Sequence, residues 1–206
     1  AILKEKEKNS KFFGICNAIG EIIAVPKEYE IAIEIALGGA IQNIVTNTEE
    51  DAKIAINYLK ENKKGRATFL PISSIKAKPI QDKDNIVKEK GVIGIADSLI
   101  TFDDKYNNIM SNILGRTIII DNIDNGIALS KKYKYMYKVV TLDGELINAG
   151  GALTGGSISK KSGGIFSRGR EIKDIFEKVC VLEEKINKNI DFIQKKEEEQ
   201  SNIQKN

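Results

Sequence analysis

Five glycines crowd into residues 143–157, Asp-Gly-Glu-Leu-Ile-Asn-Ala-Gly-Gly-Ala-Leu-Thr-Gly-Gly-Ser, at Gly144, Gly150, Gly151, Gly155 and Gly156. Lone glycines mark turns, but doubled glycines on both sides of Ala-Leu-Thr mark backbone that must pack closely against something else. That neighbour is a phosphate, an adjacent helix or a second copy of the chain. A phosphate-binding P-loop requires Gly, four residues, then Gly-Lys-Ser/Thr. Gly151 to Gly156 has the glycine spacing, but Ser157 and Ile158 stand where Lys and Ser/Thr belong. Counting from Gly155 puts Lys161 and Ser162 in place, but Lys160 then replaces the second glycine. Neither register is complete, so the residues favour close backbone contact over a nucleotide pocket.

The rest of the composition narrows the chemistry. The chain has no histidine, which removes His-based acid–base catalysis, Ser-His-Asp triads and His metal sites. Carboxylates are plentiful, as at Asp103-Asp104, but none falls in a recognisable catalytic spacing. Cys16 and Cys180 lie far apart in apolar company and read as buried structural residues rather than a metal site or a disulfide. At 206 residues with 30% charged side chains, the chain is long enough for a real core in one domain or two small ones. The net charge of +3 is too small to argue nucleic-acid binding; local clustering of charge matters more. No run of about 18 apolar residues and no signal peptide is seen, so a cytosolic setting without membrane contact is expected. The start at Ala1, just ahead of a charged run, reads as a piece cut from a longer protein.

Taken in order, residues 1–10 read as the last turns of a charged helix. Pro26 suits the first turn of a helix running through Tyr29, Ile33 and Leu37 to Gly38-Gly39. Residues 40–46 read as a strand, and Thr48-Glu-Glu-Asp51 as a capping box opening a helix with Ala52, Ile56 and Leu59 inward. Residues 66–70 read as a strand closed by Pro71, and 72–91 as a long connection. A second unit then offers helices at 103–114 and 124–132 and strands at 116–121 and 137–142. Tyr29 and Leu37-Gly38 match Tyr106 and Leu114-Gly115 at identical internal spacing, and the same order of elements follows each. An internal duplication is therefore expected, with open sheet edges that invite burial against a neighbour.

From Arg168 onward the pattern changes. Ile172, Ile175, Val179, Leu182, Ile186 and Ile193 fall on alternating three- and four-residue steps, an apolar seam over about three heptads. A long helix with one such stripe is not stable alone. Its simplest partner is an incoming N-terminal helix of which residues 1–8 are the stub, which makes both chain ends parts of one antiparallel coiled coil.

A globular domain interrupting an antiparallel coiled coil resembles the hinge domain of the structural maintenance of chromosomes (SMC) proteins. The resemblance is carried by Ala32-Ile-Glu-Ile-Ala-Leu-Gly-Gly39, Gly65-Arg-Ala-Thr-Phe-Leu-Pro71, the Gly144, Gly151, Gly155-Gly156 series and Arg168-Gly-Arg-Glu171. It implies a mixed α/β hinge fold of two related subdomains flanked by coiled-coil helix ends. The parts would be 1–11 (incoming helix), 12–80 and 81–166 (subdomains) and 167–206 (outgoing helix). It further implies a homodimer closed through two equivalent contacts, in which the glycine motif of one protomer meets a strand edge of the other. Position by position, Gly144, Gly150, Gly151, Gly155 and Gly156 would carry that contact, with Gly38 and Gly39 near it. Absent side chains let two backbones approach and continue a sheet across the interface.

The resemblance also implies that catalysis lies elsewhere: the family's ATPase head, with its ATP and Mg²⁺, is not in this sequence, and no enzyme activity, cofactor or metal is expected of it. SMC hinges resemble one another in contacting DNA through basic residues where domain meets coil. Lys160, Lys161, Arg168 and Arg170 cluster there with no acidic residue between them, a setting for salt-dependent, sequence-independent binding. Lys63 and Lys64, with Lys60, Lys131, Lys132 and Lys134, form a second tier whose ordinary role is a solvated surface. The competing expectation is a module that only joins two arms and binds no DNA. The richness in Lys, Ile and Asn fits an AT-rich prokaryotic genome, and the parent is expected in the cytoplasm, associated with the nucleoid.

Overall fold

The frame that occurs twice in the sequence corresponds to one arrangement built twice. After α1 (Ile2–Lys6), the first copy runs β1 (Ile15–Ala18), α2 (Ile19–Ile22), α3 (Glu30–Leu37), β2 (Ile44–Thr46), α4 (Glu49–Glu61) and β3 (Phe69–Pro71). A short helix, α5 (Lys83–Ile86), leads into the second copy: β4 (Val92–Ile95), α6 (Asn107–Leu114), β5 (Thr117–Ile120), α7 (Ile123–Lys132) and β6 (Lys138–Thr141). Two further strands, β7 (Leu146–Ile147) and β8 (Leu153–Thr154), precede α8 (Ile165–Gln204). These elements come from a computed structural model that describes residues 2–157 and 164–204.

The two sheets share a topology. In the order β1-β2-β3 the first pair is antiparallel and the second parallel; β4-β5-β6 repeats this, and β7 and β8 extend it antiparallel beyond β6. The antiparallel pairs β1–β2 and β4–β5 each carry one register shift. The copies meet back to back where Ala24 and Thr101, each five residues before its tyrosine, exchange backbone hydrogen bonds of 2.8 and 2.9 Å.

Alternation along the strands decides what each face covers. Val45, Ile119 and Val140 point into one core with Ile33, Ala36 and Leu37 of α3 and Ile109, Met110 and Leu114 of α6. Their strand neighbours Ile118, Ile120 and Val139 point the other way, onto Leu129 of α7. Ile44 faces Ala55 of α4, Phe12 and Ile2. The layers are thus α4, first sheet, α3 with α6, second sheet, α7. All four residues of β5 are buried, as a strand covered on both faces requires.

Several local expectations hold. Thr48 caps α4 with the full reciprocal box, its hydroxyl accepting from Asp51 N while an Asp51 oxygen accepts from Thr48 N. Others need correction. The helix after Pro26 begins at Glu30, because Lys27–Tyr29 form a 3-10 turn first. Residues 38–42 are also a 3-10 turn, so only Ile44–Thr46 is strand. In α4 the inward set is Ala52, Ala55 and Leu59; Ile56 lies on the outer side of that stripe and is exposed. The connection at 72–91 contains α5, held in place by the fully buried Ile86. Cys16 and Cys180 are free and only half-buried.

The chain divides into two units, Ala1–Phe166 and Ser167–Asn206. The second is the continuation of α8, a single helix whose seam residues Ile172, Ile175, Val179, Leu182, Ile186 and Ile193 are exposed. Among the described residues no helix is long and apolar enough to cross a membrane.

Candidate functional site

The glycine stretch folds as two successive tight turns that hang β7 and β8 on the outer edge of the second sheet. The first turn closes with Gly144 N–H donating to Thr141 O at 3.0 Å. Thr141 also clasps Glu145 through its hydroxyl, which donates to Oε2 and accepts from the Glu145 N–H, both at 3.0 Å. The second turn closes with Gly151 N–H on Asn148 O at 2.9 Å, and Gly150, at φ +93°, occupies the position that a type II turn reserves for glycine. Asn148 N–H then reaches Ala152 O, and β8 follows.

Sequence reasoning missed the support beneath this turn. Lys134 and Tyr135 are consecutive left-handed residues at φ +53° and +54°, a conformation costing roughly 1 kcal/mol or more for each non-glycine residue. That backbone places Tyr135 O to accept from Gly150 N–H at 2.9 Å, and lays the Tyr135 ring against the Gly151 backbone. Nothing in the run Tyr-Lys-Tyr-Met signals it, because neither residue type favours positive φ.

The edge is open. Both residues of β8 are exposed, and Leu153, at 59% exposure, is a large apolar side chain facing solvent on a strand whose outer edge has no partner among the described residues. Two of the candidate glycines are not demanded by their own chain. Gly39 and Gly155 have no positive φ; a Cβ on Gly39 would meet nothing, and one on Gly155 would make ordinary contact with the Glu145 side chain. Around Gly38 and Gly156 there is likewise open space, although both have positive φ. Gly38 and Gly39 follow α3, and that end of the helix is tied to the second sheet by Lys138 Nζ, which donates to Ala36 O at 3.1 Å.

The basic candidates fare unevenly. Lys160 and Lys161 lie outside the described residues. Arg168 and Arg170 sit in the first turns of α8, Arg168 exposed and Arg170 half-buried with a partner of its own. Lys63 is exposed, at φ +51° in the turn that ends α4. Lys64 is exposed but engaged within the chain: its Nζ meets Tyr58 Oη at 2.6 Å and Glu5 Oε1 at 3.5 Å, fastening α1 to α4. The Tyr58 hydroxyl, ahead of the Glu5 charge, holds the Lys64 pKa above its ordinary value. Lys132 is similarly paired with Glu89 at 2.5 Å. No group of three or more potential metal ligands occurs among the described residues.

Comparison with known proteins places this geometry. The family described as SMC proteins Flexible Hinge Domain matches residues 12–130. Chromosome partition protein Smc of Clostridium kluyveri is 47% identical over 164 residues, which is 80% of this chain and 14% of that protein. The Bacillus subtilis protein of the same name is 39% identical over 186 residues, 89% of this chain and 15% of its own length. The chain therefore spans about one seventh of the length of these relatives. Among solved structures, an asymmetric dimer of the Geobacillus stearothermophilus SMC hinge domain superposes with a TM-score of 0.78 at 37% identity, covering 91% of this chain and 76% of that one. The Pyrococcus furiosus SMC hinge domain gives 0.63 at 36% identity, over 74% and 78% of the two chains. With the mixed α/β fold, the doubled topology and the helical C-terminal end all in agreement, the chain belongs to the SMC hinge domain family.

Proposed function

We propose that this chain is the self-pairing hinge of a chromosome-partition SMC protein, joining two coiled-coil arms through the edge formed by β8 and its glycines. The observation that carries the reading is an exposed edge strand flanked by Gly155, with Gly39 at the end of α3, two glycines that no internal constraint explains. A second backbone approaching there would explain both, since hydrogen bonds across an open edge need the space a side chain would fill. We assign Gly144, Gly150, Gly151, Gly156 and Gly38 to the pairing contact as well. The relative from Geobacillus stearothermophilus was solved as a hinge dimer, which supports the reading.

Light scattering on the chain and on Gly155→Glu tests it. The unsubstituted chain should have twice its 22.8 kDa mass, and the variant should be a folded monomer with an unchanged circular-dichroism spectrum. A monomeric unsubstituted chain refutes the reading, and a dimeric variant moves the contact away from β8.

The finer proposal is weak, non-specific DNA contact from Lys160, Lys161, Arg168 and Arg170, with Lys63 near at most and Lys64 withdrawn by its bond to Glu5. Phosphate neutralisation makes the affinity fall steeply with salt, so Lys160→Glu/Lys161→Glu should flatten that dependence. A chain with no salt-dependent binding would be a pairing module alone. In the whole protein, ATP hydrolysis, the coiled-coil partner of α8 and a place in the cytoplasm at the nucleoid complete this proposal.

A further inference from the structure

One face of α1 carries its attachment to the first copy. Ile2, Glu5 and Lys6 stand at i, i+3 and i+4, neighbours on one side of the helix, while Lys4 is exposed. Ile2 is buried in the small core that holds Phe12, Ile15, Ile44 and Ala55. Glu5 Oε1 lies 3.5 Å from the Nζ of Lys64, in the turn after α4. Lys6 Nζ donates to Cys16 O at 2.7 Å and reaches Asn17 Oδ1 at 3.5 Å. A helix of five residues has no stability of its own, so contacts of this kind are what place it.

The Lys6 contact falls where β1 leaves its ladder. Ile15 pairs with Thr46 and Ala18 with Ile44, so two residues, Cys16 and Asn17, face the single Val45. A bulge leaves one residue's backbone groups outside the ladder. On β1, an outermost strand of the first sheet, such groups are open to any strand that comes alongside. Lys6 occupies that place with an ammonium group. At the outer edge of the second sheet, β8 is exposed instead. We infer that α1 seals β1 against a second copy of the chain and so leaves self-association to the edge at β8. The restriction to β8 rests on the pairing function proposed above; the seal on β1 does not. Uncovered, β1 offers a strand of a second copy the Cys16 carbonyl, beside the apolar side chains that Ile2 packs against.

The test uses the full 206-residue chain carrying Gly155→Glu, the variant expected to be monomeric. Ile2→Ser/Glu5→Ala/Lys6→Ala removes all three contacts. The Lys8 and Asn9 amides, both bonded to Glu5 O at 3.0 Å, should then exchange with deuterium about tenfold faster as α1 melts. The light-scattering mass should rise from one chain to two. Adding Asn17→Lys, which puts a charge on the uncovered edge, should return it to one. If the triple substitution costs the fold, Glu5→Ala/Lys6→Ala, which keeps Ile2 in its core, is read in its place with the same expectations. Unchanged exchange overturns the inference, because the contacts then do not hold α1. Faster exchange at unchanged mass overturns it too, since release has uncovered nothing that a second copy takes. A doubled mass that survives Asn17→Lys overturns it by moving the new contact off β1. A monomeric unsubstituted chain refutes the pairing function alone, and the rise and its reversal are then read on that chain without Gly155→Glu. A Gly155→Glu chain that stays dimeric likewise moves only the pairing contact, and the rise is read above two chains.

Discussion

Asp97 is a residue the fold accommodates poorly. It lies between β4 and α6, and its Oδ1 is buried without a hydrogen-bond partner among the described residues. Burial pushes its carboxyl above the ordinary range, against a smaller opposing pull from Lys83 and the backbone N–H groups at 97 and 98. The sign of the consequence follows from linkage. A carboxyl whose folded pKa is raised binds its proton more tightly in the native state, so stability falls as pH rises through the carboxylate range. At neutral pH the native state bears the full cost of a partly buried charge. Asp97→Asn removes that charge and keeps the shape. Its urea midpoint should exceed that of the unsubstituted chain at neutral pH, with the gap closing below the carboxylate range. An equal gap at both pH values would mean that charge is not the cause.

Among elements, the duplication extends further than order and topology. Gly14 precedes β1 and Gly91 precedes β4, and in each copy the backbone after the central strand donates to that glycine's carbonyl: Asn47 N–H to Gly14 O at 2.8 Å, Asp121 N–H to Gly91 O at 2.9 Å. In each copy the first turn of the following helix lies over the glycine, so a Cβ would overlap Asp51 in one case and Asp121 with Asn125 in the other. Gly91 is also at φ +79°. Gly91→Ala should therefore cost about 2 kcal/mol or more in urea denaturation, from strain and a displaced Asp121–Asn125 hydrogen bond together. Gly155→Ala, with neither constraint, should stay within about 0.5 kcal/mol. The contrast separates glycines needed by the fold from those proposed to serve a second chain. The sequence displayed part of this. The Tyr-to-Leu-Gly frame and the Thr48 box are local patterns, and local patterns survive into structure. The hairpin of β7 and β8 shows in the sequence only as close backbone contact, since strands of two residues have no periodicity to detect. Spacing alone does not separate Ile56 from Ala55, because 52, 55, 59 and 52, 56, 59 are both helical spacings. Glu34 on Ile165 N–H and Tyr135 under Gly150 join residues far apart in sequence, and no spacing rule reaches them.

For the globular unit as a whole, the decisive fact is that its central core belongs to neither copy. Ile33, Ala36 and Leu37 from the first and Ile109, Met110 and Leu114 from the second fill one layer between the sheets, each nearly or fully buried. Met110 has no exposed surface at all. Each copy alone would leave one face of its sheet and one side of its helix in water, an apolar area too large for a unit of that size to leave exposed. The Ala24–Thr101 bridge would also be lost. Two copies that share a core should unfold together. Met110→Ala should lower stability by about 2–5 kcal/mol, and it should shift the unfolding of both sheets by the same amount. Residue-resolved exchange is the check, with probes at Val45 in β2 and Val140 in β6. If Val45 kept its protection while Val140 lost it, the copies would be separable folding units. A common shift would make the globular unit one cooperative folding body, with no weaker seam between its two sheets.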